Sequence, residues 1–68
     1  MDRLEAMSLF VAAVEAGSLS AAARHLGMPL ATVSRKVSEL ERHLNTRLLN
    51  RSARRLTPTD AGQAYLAA

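Results

Sequence analysis

Eight cationic side chains fall between residues 24 and 55: Arg24, Arg35, Lys36, Arg42, Arg47, Arg51, Arg54 and Arg55. Only Glu39 and Glu41 oppose them there, leaving a local net charge of +6, whereas residues 1–23 carry −2 and residues 56–68 carry −1. Seven of the eight are arginine, whose planar guanidinium suits bidentate contact with phosphate or with a guanine edge. The chemistry implied is non-covalent, one basic face meeting a polyanion. A merely solvated charged surface is the competing explanation, and charge alone does not separate the two.

The remaining reactive residue types do not assemble into a catalytic or metal site. His25 and His43 have no companion acid or cysteine at ligand spacing, and cysteine is absent altogether. No nucleophile–base pair, phosphate-cradling glycine loop or paired-carboxylate cleft is discernible, and a chain of 68 residues is too small to enclose a substrate pocket. Neither an enzyme nor a cofactor or metal site is therefore expected. The lack of cysteine fits a reducing cytoplasm. Nothing reads as a membrane span, since no run approaches about 18 apolar residues. No basic start precedes the apolar stretch 9–16, so a targeting segment is not read either. A soluble domain is expected.

The elements that must position the basic face are helical. Alanine (13 residues) and leucine (11), both strong helix formers, dominate the apolar content, and β-branched residues are few. Leu4, Met7, Phe10, Val11 and Val14 recur at helical steps and suggest the buried stripe of a first helix, stopped by Gly17. Ser18 and Ser20 are both candidate caps for a short second helix at about 20–26, ended by Gly27. Pro29 suits the first turn of a third helix running to about Leu44. There Val33, Val37, Leu40 and Leu44 form a narrow buried stripe. At about 100° per residue, Ala31, Arg35, Ser38 and Arg42 lie opposite it, with Arg35 nearest the centre. Asn45 is the expected left-handed stop. Residues 48–51 and 55–57 can pair as a hairpin around Ser52, Ala53 and Arg54, anchored by Leu48, Leu49 and Leu56. Thr59 then caps a last helix, with Asp60 at the positive end of its dipole. Met7 and Met28 read as core filling.

Ala23, Gly27 and Val33 have the small–turn–β-branched spacing of a helix-turn-helix. With an Arg/Ser face on the following helix and an arginine-rich hairpin behind it, the fold expected is mainly α, a winged helix-turn-helix: three helices, a short β-hairpin wing, and the start of a further helix. The wing is expected at 51–55. The helix at 30–44 would enter the major groove of duplex DNA, with Arg35 contacting guanine or phosphate. Leu30, Ala31, Thr32, Ser34, Lys36 and Ser38 would surround it. Ser18 and Ser20 would offer phosphate contacts at the second helix N-terminus. Arg51, Arg54 and Arg55 would reach phosphate or the minor groove from the wing, unless one of them pairs with a helix acid instead. Arg42 is a further phosphate candidate.

Residues 17–26 (GSLSAAARHL) resemble the second-helix signature of LysR-type transcriptional regulators. Thr32-Val33-Ser34-Arg35-Lys36-Val37 with Leu40-Glu41 resembles their recognition helix. Arg47-Leu48-Leu49-Asn50-Arg51, Arg54-Arg55-Leu56 and Thr59-Asp60-Ala61-Gly62 resemble their wing and linker start. The resemblance implies a bacterial DNA-binding domain at residues 1–58 and the start of a linker or dimerisation helix at 59–68. Ala61, Ala64, Tyr65 and Ala68 would begin the seam for self-association in a longer chain. It also implies an effector-binding domain outside this chain, and assembly as dimers. The fragment itself is expected to stay mostly monomeric in dilute solution. Pro29, Leu30 and Ala31 depart from the family's usual serine, glutamine and proline. Amide readout of adenine is thereby lost, and Leu30 offers only apolar contact. Asn45 replaces the usual glycine. The alternative, from a different class, is a winged helix used as a protein-interaction module without DNA binding.

Overall fold

The computed structural model describes residues 2–51 and 56–67. Three helices come first, each ended by a residue in the left-handed region: α1 (Arg3–Ala16), α2 (Leu19–Leu26) and α3 (Leu30–Leu44). Two short strands follow, β1 (Leu49–Asn50) and β2 (Thr57–Pro58), and then α4 (Asp60–Ala67). The strands pair antiparallel with Leu49 opposite Pro58 and Asn50 opposite Thr57. The hairpin is therefore present, but its second strand begins at Thr57 rather than at residue 55. Its expected turn at Ser52, Ala53 and Arg54, together with residue 55, lies outside the described residues. Pro58 is tolerated because each strand of a two-stranded ribbon is an edge.

Local chemistry explains most boundaries. Asp2 caps α1 by accepting from the Glu5 N–H at 3.1 Å. Ser18 caps α2 by accepting from the Ala21 N–H at 3.0 Å, while Ser20 lies inside the helix, exposed. The second helix thus begins at Leu19, and of the two serines only Ser18 is its cap. At the end of α2, Gly27 (φ 66°) lets the Met28 N–H bond the Ala23 carbonyl at 2.9 Å. Asn45 (φ 53°) closes α3 in the same way, with Thr46 N–H on the Glu41 carbonyl at 3.0 Å. Pro29 precedes α3 with no side-chain cap, and its carbonyl accepts from Thr32 and Val33. Thr59 caps α4 through its hydroxyl, which accepts from the Gly62 N–H at 3.1 Å and donates to the Arg47 carbonyl.

The core is one cluster: Ala6, Leu9, Phe10, Ala23, Val33, Val37, Leu40, Leu48 and Leu49, with Phe10 wholly enclosed. Met7 and Met28 pack at its margin. The stripe expected on α1 holds for Phe10, which is buried, and for Met7, Val11 and Val14, which pack half-buried against the core, but not for Leu4. Leu4 is 83% exposed, and Ala6, Leu9, Phe10 and Ala13 are the buried residues. Apolar side chains surround α1 on nearly every side, so the helical period alone left its inward face open. Packing against both α2 and α3 selected the face carrying alanines, where backbones can approach closely.

Gly62, on the first turn of α4, is buried beneath the wing root. A Cβ there would stand 2.2 Å from the Leu48 carbonyl oxygen and 3.2 Å from the Phe10 ring. The Thr59 N–H donates to that same carbonyl at 2.9 Å. The start of α4 is thus fitted to the core by the absence of a side chain.

Candidate nucleic-acid interface

α3 offers its two halves differently. On the N-terminal half, Leu30, Ala31 and Arg35 are exposed, while Thr32 and Ser34 are half-buried beside them. Among the described residues, Arg35 has neither an ion pair nor a side-chain hydrogen bond. Val33 and Val37, fully buried, fix the rotation of the helix that turns Arg35 outward. Of the face read from the helical period, Ala31, Arg35 and Arg42 are exposed, whereas Ser38 is half-buried.

The C-terminal half is tied to the wing. Glu41 lies on α3 with a side chain only 10% exposed. Its Oε2 accepts from the backbone N–H groups of Leu48 (2.8 Å) and Leu49 (3.2 Å). Its Oε1 accepts from the Arg51 guanidinium at 3.3 Å, and that guanidinium also lies 3.4 Å from the Ser38 hydroxyl. The carboxylate therefore satisfies two donors at the wing root that would otherwise be buried unpaired, and cancels one wing charge. Sequence reasoning passed over Glu41 as a site residue. The signal was an acid one position after a core leucine on α3, which places it beside the buried stripe.

Of the remaining expected contacts, Lys36 is paired with Glu5 of α1, so its charge is already met within the domain. Arg51 follows the option of pairing with a helix acid, although its side chain stays 33% exposed. Ser38 is half-buried between α3 and the wing. The Ser18 hydroxyl is engaged as a cap, and Ser20 is exposed on α2. Arg54, Arg55 and Ala68 lie outside the described residues. Ala61 and Tyr65 are half-buried against the domain's own core, and Ala64 is exposed. Arg42 and Arg47, like Arg35, are exposed arginines without an ion-pair partner among the described residues. No cluster of three or more potential metal-ligating side chains occurs among the described residues, and none of their single helices is long and apolar enough to cross a membrane.

Three helices, with the third presenting an exposed arginine face, and a two-stranded antiparallel ribbon behind it define a winged helix-turn-helix domain. Residues 4–63 match the bacterial regulatory helix-turn-helix protein pattern of the lysR family, and the chain belongs to that family. It is 55% identical over 65 residues to an HTH-type transcriptional repressor of Pseudomonas aeruginosa (strain UCBPP-PA14), covering 96% of this chain and 20% of that protein. It is 49% identical over 65 residues to the HTH-type transcriptional activator AaeR of Escherichia coli (strain K12), covering 96% of this chain and 21% of the relative. The chain thus spans about a fifth of the length of these relatives. Among solved structures, the BenM DNA-binding domain in complex with catB site 1 DNA superposes with a TM-score of 0.91 at 33% identity. That match covers 98% of this chain and 71% of the other. Full-length AphB of Vibrio cholerae gives 0.88 at 42% identity, covering 98% of this chain and 23% of AphB.

Proposed function

We propose that this domain binds duplex DNA in a sequence-dependent manner as the reading head of a transcription regulator, without catalysis. α3 enters the major groove by its N-terminal half, and the wing flanks it on the backbone. The observation that carries this reading is Arg35, exposed at the centre of the outward face of α3 and without a partner among the described residues. Lys36 and Arg51, by contrast, have acids assigned to them inside the domain. Likeness to a domain solved with DNA supports the same docking. Leu30 and Ala31 sit at the leading end of the helix, where base edges are met, and favour apolar contact such as a thymine methyl. Thr32 and Ser34 are placed for phosphate, and Ser18, Ser20, Arg54 and Arg55 complete the proposed footprint.

In a longer chain we place self-association along α4. Ala64 and the 38% exposed Leu66 are open there, and Ala61 and Tyr65 contribute what their own core leaves uncovered. Effector binding belongs to a further domain of such a chain, and the working compartment is the cytoplasm.

Anisotropy of a labelled random-sequence duplex, titrated at several salt concentrations, tests the reading. Binding with log K falling steeply against log salt is expected, and Arg35→Ala should weaken it by about 1–3 kcal/mol while leaving the fold intact. A folded domain that binds no duplex even at low salt would move the protein-interaction module ahead.

A further inference from the structure

The three arginines at the far end of α3 outnumber their acids. A cleft of about 430 Å³ opens between that end of the helix and the wing root, with Arg42, Arg47 and Arg51 along its walls beside Ser38 and Glu41. Glu41 is the one acid among its lining residues, and both its oxygens are already engaged. Its charge is directed to Arg51, so Arg42 and Arg47 line the cleft with no ion-pair partner among the described residues. Three guanidinium charges against one carboxylate leave +2, and the helix C-terminus returns only about half a negative charge. Even that is blunted, since the Asn45 and Thr46 N–H groups cover the Glu41 and Arg42 carbonyls. A second cleft, of about 530 Å³, shares Arg47 and Arg51 with the first and continues along β1. Ser38 stands one turn beyond Arg35 on α3, so the first cleft adjoins the exposed face of the recognition helix.

We infer that this cleft is a seat for one backbone phosphate of the bound duplex, gripped by Arg42 and Arg47, with Arg51 held as its fixed wall by Glu41. The inference rests on the DNA-binding reading and extends the footprint from the N-terminal half of α3 to its far end and the wing root. Arg42 and Arg47 contact the phosphate. Glu41 ties the wing root and Arg51 to α3 at the edge of this cleft.

The test is the salt dependence of binding to a random-sequence duplex for the wild-type chain, for Arg42→Gln/Arg47→Gln, and for the remote control Arg3→Gln, whose side chain is exposed on α1 and unpaired. Loss of one phosphate contact makes the log K against log salt slope shallower by about 0.9 in the double variant, with no change in Arg3→Gln. Arg42→Lys/Arg47→Lys should restore the slope, because a phosphate responds to the point charge that a purely structural arginine would not share. An unchanged slope in the glutamine variant overturns the inference. So does an equal loss in Arg3→Gln, or a lysine variant that fails to recover. Failure of the DNA reading itself looks different: the wild-type chain then shows no binding at any salt, and the inference falls with it.

Discussion

The two halves of α3 follow opposite rules. From Leu30 to Arg35 the outward side chains Leu30, Ala31 and Arg35 are exposed and make no side-chain bond among the described residues. At Glu41 the polar chemistry is spent on the fold, one carboxylate serving two backbone N–H groups and an arginine, while Arg42 beside it stays exposed without an ion-pair partner among the described residues. A binding surface keeps its donors unpaired in the free state, whereas a hinge between helix and wing must pair everything it buries. A single helix can therefore act as a probe at one end and a bracket at the other.

The strongest way to break that contrast is Glu41→Ala. It orphans the Leu48 and Leu49 N–H groups and strips Arg51 of its partner, and about 3 kcal/mol of stability should go. In a domain of this size, with no disulfide to reinforce it, that loss brings the urea midpoint close to zero by circular dichroism. Glu41→Gln keeps an acceptor for the two N–H groups and should lose clearly less, which separates the backbone role from the charge. Gly62→Ala comes next. Its methyl collides with the Leu48 carbonyl, and relief requires moving α4 or the wing root, at about 2 kcal/mol in the same denaturation experiment.

Gly27→Ala should cost about 1 kcal/mol, from conformation alone, because nothing lies within 4 Å of the Cβ it adds. Arg35→Ala should move the midpoint by less than about 0.5 kcal/mol while weakening duplex binding, the reverse of the Glu41 pattern. The smallest effect is expected at Leu4→Ser, within about 0.5 kcal/mol, since that leucine is almost fully exposed. A large loss there would mean that Leu4 is buried with its neighbours Met7 and Val11.

Much of the fold was legible in the residues. The stops at Gly17, Gly27 and Asn45, the cap at Thr59, the buried stripe of α3 and the outward Arg35 are all found where the sequence places them, and of the two serines offered for α2 Ser18 is the cap. Each is decided within one or two turns of chain: a cap hydroxyl reaches three residues ahead, a left-handed stop is a property of one residue, and helical period fixes which side chains share a face. The tertiary structure decided matters of another kind. It chose which of several apolar faces of α1 to bury, and it directed Lys36 to Glu5 and Arg51 to Glu41. It also made Gly62 the point where α4 meets Leu48 and Phe10. Those partners stand from 10 to 52 residues apart, and no local rule encodes their distance. They meet only because the crossing of α1 over α3 and the angle of the wing put them together, and that geometry exists only once the common core has closed around Phe10.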